Sequence, residues 1–147
     1  MSTGAGRIEA EATVSWSGWG GEVRGASGKL NAATATQVEL GGPGKATNPE
    51  ELLAAALANC YTSTITSLAR SRNIPLTRLE TTARTRLAWD EKKPHHIAAG
   101  ALTVNLVTSE DEASARRLAD DARRHCPICN VLGVTAEVSL AVTVKQS

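Results

Sequence analysis

The stretch TNPEELLAAALANCYTSTITSLARSRN, from Thr47 to Asn73, decides the fold. It predicts one long helix, because Asn48 can cap the first turn, Pro49 suits the first helical position and Glu51 stands where a capping-box acid belongs. The residues from 52 to 58 are all Leu or Ala, so the helix is apolar on every side there. Such a helix is typically buried, and this one is predicted to lie at the centre of the molecule.

The chain around this helix is short for the apolar surface that it must cover. Its 147 residues predict a single domain over 1–147, with 1–6 as a loose tail. Aromatic residues make up 3%, Phe is absent and Met occurs once, so Ala, Leu and Val must form the core. Because so little chain can hardly cover a long apolar helix, we expect a partner subunit to cover it in an intimate homodimer.

Charge and the N-terminus restrict the partners and the compartment. Lys and Arg number 16 and Asp and Glu 15, a net charge of +1, which provides no electrostatic footprint for nucleic acid or a membrane surface. The first ten residues lack the apolar core of a signal peptide, and we expect no run long enough to span a bilayer. We therefore expect a soluble, cytoplasmic protein, whose three Cys serve redox, metal-binding or packing roles.

Periodicity before and after the central helix predicts strands and one further helix. That helix carries a capping box of Ser109 and Glu112, and it should break at Pro127, where Cys126 would cap a short turn ending at Gly133. The order β-β-β-α-β-β-α-β, with helices among antiparallel hairpins, indicates the α+β class. Alternating or turn-bounded stretches predict the strands: Ile8–Trp16, Glu22–Gly25, Lys29–Ala35, Leu79–Trp89, Ile97–Val107 and Val134–Val144.

The cysteines admit several interpretations. Cys60 lies on one face of the central helix and could be a small core residue. Cys126 and Cys129 form a Cys-x-x-Cys pair that could be a redox pair or half of a zinc site; alternatively, Cys126 works with a distant thiol while Cys129 packs. The neighbouring His125 should point to solvent, because the apolar stripe of its helix turns Cys126 inward.

Two motifs carry a resemblance to a known family. TNPEELLAAALANCY, ending at Tyr61, and CPICNVL, beginning 66 residues after Cys60, resemble the two cysteine motifs of the OsmC/Ohr family of osmotically inducible and organic hydroperoxide resistance proteins. The resemblance extends over roughly residues 8–145. It implies an OsmC-like fold, an intertwined homodimer in which the two subunits' sheets wrap the central helices.

The resemblance also implies a reaction, a thiol-dependent reduction of organic hydroperoxides without metal or organic cofactor. Cys60 would be the peroxidatic and Cys126 the resolving cysteine, with an external dithiol of the lipoyl type as reductant. Glu50 matches the acidic residue of the family, but ten helical residues span about 15 Å. Either the helix is broken or Glu50 serves the Cys60 of the partner subunit, which we favour. Apolar side chains would line the substrate site: Leu53, Leu57, Tyr61 and Trp19.

The chain departs from the family at two places. Trp19 stands where the Ohr branch holds a reactive-site Arg, which leaves Arg24, five residues on, as the candidate cation. Cys129 stands where a small residue without a thiol is usual, and it could be a second resolving thiol or a trap for misoxidation. Two other functions stay open: a non-catalytic dimer that binds an apolar ligand, and a thiol sensor or metal site at His125, Cys126 and Cys129.

Overall fold

The computed structural model describes residues 6–18 and 20–147, which form an α+β fold with two three-stranded sheets and three α-helices. The chain packs as two compact units, one up to Leu52 and one from Leu53 onward. The predicted order of strands and helices is confirmed, with one additional short helix. The elements are β1 (Ala12–Ser17), β2 (Gly20–Gly25), β3 (Asn31–Ala35), α1 (Pro49–Ser71), β4 (Leu76–Ala88), β5 (His96–Thr108), α2 (Glu112–His125), α3 (Pro127–Gly133) and β6 (Glu137–Gln146).

The N-terminal unit contains an antiparallel meander in the order β1-β2-β3. β2 lies in the centre, and its Val23 is buried opposite Val14 of β1. Gly28 adopts a φ of 72° in the turn to β3, a conformation that favours glycine. The first strand is shorter than predicted, because it begins at Ala12 and Ile8 is exposed ahead of it.

α1 begins and ends where its sequence predicts. The side chain of Asn48 accepts the backbone N–H of Glu51 at 2.8 Å, which satisfies a donor of the first turn. The Glu51 carboxylate accepts the hydroxyl of Thr47 at 2.6 Å. At the other end Asn73 takes a left-handed φ of 54°, and the N–H of Ile74 donates back to the carbonyl of Ala69 at 2.9 Å.

The C-terminal unit contains the sheet β4-β5-β6. β4 and β5 form the predicted antiparallel hairpin, whereas β6, whose pairing the sequence analysis left open, pairs with β5 in parallel. The connection through α2 and α3 returns the chain to the starting end of the sheet, as a parallel neighbour requires. β6 begins at Glu137, because Val134 still belongs to the end of α3.

α2 begins at Glu112 with Asp111 as its cap, and the Asp111 carboxylate accepts the backbone N–H of Ser114 at 2.9 Å. The predicted capping box of Ser109 and Glu112 was therefore wrong by two positions. The pKa of Asp111 is lowered, chiefly because the hydroxyl of Ser114 also donates to it. The charged cap and the Pro127 break together fix the two ends of α2.

The core of the C-terminal unit lies between α1, α2 and the inner face of the sheet. Tyr61 is fully buried, and its hydroxyl donates to the carbonyl of Ala119 at 3.0 Å, which ties α1 to α2. Four residues of each helix form the facing buried stripes: Leu57, Tyr61, Ile65 and Ala69 on α1, and Ala115, Leu118, Ala119 and Ala122 on α2.

The rest of α1 is less covered than predicted. Ala55 and Ala56 are exposed, and Leu52 and Leu53 are only half-buried, so one chain does not bury this helix on every side. α1 has 23 residues, and an 18-residue stretch within it has a mean hydropathy of 1.3. By length and composition the helix could cross a membrane, so the expectation that no run reaches that length was wrong. Core helices of soluble proteins meet the same criterion, so length and composition alone assign no membrane.

Candidate functional site

Three thiols gather in the C-terminal unit, at the junction of α1 with α3. Cys60 lies in the middle of α1 and is half-buried, whereas Cys126 is fully buried and Cys129 nearly so. Pro127 creates this arrangement, because it has no N–H to continue the ladder of α2. The chain therefore starts a new helix at Pro127, with Cys126 as its N-cap and Cys129 in its first turn.

Hydrogen bonds link the three thiols in a row. The backbone N–H of Cys129 donates to the sulfur of Cys126 at 3.4 Å, and the two side chains also hydrogen bond to each other. The thiol of Cys126 hydrogen bonds in turn to that of Cys60. The structure thus brings together Cys60 and Cys126, the two cysteines that sequence analysis paired, and adds Cys129 to the same cluster.

Burial sets the protonation of all three thiols. It raises the pKa of Cys60, and the backbone N–H of Ile128, which donates to the Cys60 sulfur, opposes that rise. Burial also raises the pKa of Cys126 and of Cys129. The guanidinium of Arg123 lowers the pKa of Cys129 but does not outweigh burial. Within this chain the cluster therefore favours neutral thiols near neutral pH.

Arg123 is a residue that sequence analysis missed. It is half-buried and donates to the carbonyl of Val138 from Nε at 2.9 Å and from Nη2 at 2.6 Å. The same side chain therefore contacts β6 and also lies beside Cys129. Arg123 stands three residues before Cys126, about one helical turn away. This spacing was the signal in the sequence that could have placed Arg123 near the cysteines.

The predicted cation and acid both lie in the N-terminal unit. Arg24 is on β2 and forms an exposed ion pair with Glu22. The carboxylate of Glu50 accepts the amide of Gln37 at 3.0 Å. Because α1 is continuous from Pro49 to Ser71, the broken helix that we considered for Glu50 is wrong. That Glu50 acts on the Cys60 of the partner subunit stays a prediction, as does the role of Arg24 as the candidate cation.

The predicted substrate-binding residues differ in accessibility. Leu57 and Tyr61 are fully buried in the core, whereas Leu53 is only partly buried against it. Trp19 lies outside the described residues. A contact between these side chains and a substrate stays a prediction, and in the described conformation Leu53 is the member of the set on α1 that solvent can reach.

The N-terminal unit contains an apolar cavity of about 440 Å³. Its wall is mostly apolar, with the carboxylate of Glu50 and the amide of Gln37 as polar groups. Sequence analysis did not anticipate this cavity, because its residues come from three strands, the segment after β3 and the first turn of α1. The lining includes Val14, Trp16, Ala35, Leu40, Pro49 and Leu52.

A metal site at His125, Cys126 and Cys129 receives no support from the geometry. His125 is exposed, as predicted, and its Nδ1 lies 2.8 Å from the carbonyl oxygen of Asp121. Among residues 6–18 and 20–147, no group of three or more His, Cys, Asp or Glu side chains is placed to hold a metal ion.

Comparisons with known proteins agree with the fold. A sequence model described as "OsmC-like protein" matches residues 42–141. The structure resembles an organic hydroperoxide resistance protein OsmC, described as a predicted redox protein, from Legionella pneumophila. The two are 30% identical with a TM-score of 0.83, covering 95% of this chain and 99% of that one. It also resembles organic hydroperoxide resistance protein OhrB of Bacillus subtilis, at 25% identity and a TM-score of 0.75, covering 92% and 98%.

A relative without a known function matches as well. The uncharacterized protein YmaD of Bacillus subtilis is 27% identical over 124 residues, which are 81% of this chain and 82% of that protein. The family match spans more than half of the chain and includes both Cys60 and Cys126. This chain therefore belongs to the OsmC-like family.

Proposed function

We propose that this protein is a cysteine-based peroxidase that reduces organic hydroperoxides. The observation that carries the proposal is the contact between the half-buried thiol of Cys60 and the buried thiol of Cys126. Two thiols in hydrogen-bond contact can form a disulfide after a small movement of their side chains. The names of the similar structures, organic hydroperoxide resistance proteins, support the same substrate class.

The reaction takes two steps. The thiolate of Cys60 attacks the distal oxygen of ROOH, the O–O bond breaks, and the alkoxide leaves as ROH after gaining a proton. Cys60 is then a sulfenic acid. The sulfur of Cys126 attacks that of Cys60, which forms a disulfide and releases water before further oxidation. An external dithiol, of the lipoyl type that the resemblance implies, returns both thiols to the reduced state.

Activation of Cys60 is the demanding part of this proposal. Burial raises its pKa, and the N–H of Ile128 stabilises the thiolate only in part. We propose that a second subunit supplies the remaining stabilisation through the guanidinium of its Arg24, with its Glu50 as the acid that would position that guanidinium. A homodimer would also cover the exposed side of α1 at Ala55 and Ala56. Three free thiols suit a reducing compartment, so we place the protein in the cytoplasm.

The test follows the loss of cumene hydroperoxide with fully reduced protein and an excess of dihydrolipoamide. Wild type should turn over, and Cys60→Ser should abolish the activity. Without dihydrolipoamide, Cys126→Ser should react once and leave a sulfenic acid on Cys60 that dimedone traps. Ser63→Ala, an exposed change one turn away on α1, is the matched control. Full activity of Cys60→Ser would contradict the proposal, as would an untouched Cys60 in wild type after minutes with peroxide.

A second candidate function is non-catalytic binding of an apolar ligand. The mostly apolar cavity beside Glu50 supports it, as do the raised pKa values of the three thiols. The same experiment separates the two. Thiols that stay reduced in peroxide, together with binding of an apolar fluorescent probe that Leu40→Glu weakens, would favour the binding protein.

A further inference from the structure

The third thiol, Cys129, has no role in a reaction that uses Cys60 and Cys126 alone. It nevertheless belongs to the same cluster of thiols, where it hydrogen bonds to Cys126 and also lies near Cys60. Cys126 is the middle member and the only one of the three that is completely buried. A disulfide between Cys60 and Cys126 would therefore have one inaccessible sulfur, with a neighbouring thiol already in contact with it.

We propose that Cys129 takes over the disulfide, so that the oxidised protein rests with a Cys126–Cys129 bond and a free Cys60. This inference rests on the proposed peroxidase function and adds a step to it. Cys126 and Cys129 are the N-cap and the third residue of α3, and the N–H of Cys129 already reaches the Cys126 sulfur at 3.4 Å. Only side-chain rotation separates this arrangement from a bond within one helical turn.

The transfer is a thiol–disulfide exchange that conserves electrons. The thiolate of Cys129 attacks the sulfur of Cys126, a new S–S bond forms, and the Cys60–Cys126 bond breaks. Cys60 leaves as a thiolate, which the N–H of Ile128 can stabilise, and the proton lost by Cys129 passes to solvent. An external dithiol later reduces the Cys126–Cys129 bond and becomes a disulfide itself, so every oxidation is matched by a reduction.

The surroundings of Cys129 explain why the transfer would be useful. Cys129 lines an open cavity of about 510 Å³ together with Arg123, Arg124 and Asn130. The completely buried Cys126 does not line that cavity. A reductant that enters there meets Cys129, which is 5% exposed, before the completely buried Cys126. Arg123 favours the Cys129 thiolate, which assists both its attack on Cys126 and its release on reduction.

Stoichiometry without reductant tests the transfer. If Cys129 frees Cys60, reduced wild type should consume about two equivalents of cumene hydroperoxide per chain, the second ending as a sulfenic acid on Cys60. Cys129→Ser should consume about one and stop at the Cys60–Cys126 disulfide. Peptide mapping of wild type after the first equivalent should find the Cys126–Cys129 link. A wild type that stops at one equivalent with a Cys60–Cys126 link would overturn the transfer and leave the peroxidase intact.

A redox titration separates the transfer from the peroxidase itself. Oxidised and reduced dithiothreitol at varied ratios oxidise wild-type protein without any peroxide, and mapping shows which disulfide is favoured at equilibrium. A Cys126–Cys129 link is expected in wild type and in Cys60→Ser, and a mainly Cys60–Cys126 link in wild type would overturn the proposal. If peroxide oxidises no thiol although the titration finds Cys126–Cys129, the peroxidase fails, while the favoured pair within the cluster is established.

Discussion

α1 and α2 carry the same kind of buried stripe but leave very different outer faces. Each buries four residues against the other and the sheet, and the hydroxyl of Tyr61 joins them at Ala119. α2 surrounds its stripe with charged residues that end in ion pairs or on β6, such as Arg116 with Glu112 and with the carbonyl of Val142. α1 surrounds its stripe with Ala and Leu, and Ala55 and Ala56 are exposed.

This difference shows which of the two helices has its apolar surface covered within the described part of the chain. A helix with one apolar face needs one packing surface, and α2 has that surface within its own unit. A helix that is apolar beyond its buried stripe needs a second surface, and residues 6–18 and 20–147 do not provide it for α1. Cys60, the reactive thiol that we propose, lies on α1, whose apolar surface is partly exposed. Cys126 and Cys129 follow α2, whose apolar face is covered.

The largest effect should come from removing the joint between the two helices. Tyr61→Ala deletes a fully buried ring and should lower the free energy of unfolding by about 3–5 kcal/mol. Tyr61→Phe keeps the ring and loses only the 3.0 Å hydrogen bond to Ala119, at a cost of about 1 kcal/mol. Urea denaturation followed by circular dichroism measures both. Equal costs for the two variants would show that the ring packing does not join α1 to α2.

The next effect concerns the thiol that α1 carries. Because burial raises the pKa of Cys60 within one chain, Arg24→Ala, which removes the proposed partner cation, should have a thiolate fraction that keeps rising with pH beyond the ordinary thiol value of about 8.5. The second-order rate constant with cumene hydroperoxide should therefore increase nearly tenfold per pH unit, about 100-fold from pH 6.5 to 8.5. Stopped-flow measurements on Arg24→Ala combined with Cys129→Ser isolate the first reaction. A rate that is constant above pH 6.5 even without Arg24 would show that a different group lowers the Cys60 pKa.

A smaller effect should distinguish the outer faces of the two helices. Ala56→Glu places a charge on the face of α1 that we assign to a partner subunit, and it should weaken the dimer by about 2 kcal/mol, roughly 30-fold in dissociation constant. Ala113→Glu makes the same change on the exposed face of α2 and should leave the dimer unchanged. Sedimentation velocity over a dilution series measures both. Equal behaviour of the two variants would mean that α1 needs no partner on that face.

Local signals in the sequence were sufficient where neighbouring residues determine the structure. The cap of α1 at Asn48 and the break at Pro127 follow from chemistry within a few residues, and both were predicted. The parallel pairing of β6 depends on the path that the chain takes from β5 through α2 and α3. The alternation of apolar and polar residues along one strand does not encode that path. The start of α2 was missed because Ser109 and Asp111 both offer a capping side chain, and only the folded chain selects Asp111.

The smallest effect concerns Arg123, the residue that makes the outer face of α2 less simple than its sequence suggests. Its two hydrogen bonds satisfy the carbonyl of Val138 on the outer edge of the sheet, so Arg123→Ala should cost about 1–2 kcal/mol of unfolding free energy. Arg124→Ala removes an exposed ion pair with Asp121 and should cost less than about 0.5 kcal/mol.

If Arg123 also favours the Cys129 thiolate, its loss should slow the formation of the Cys126–Cys129 link by several-fold at pH 7, while Arg124→Ala leaves that rate within a factor of about two. Denaturation and timed peptide mapping separate the two roles, because a purely structural Arg123 would change stability and leave the rate of the exchange as it is in Arg124→Ala.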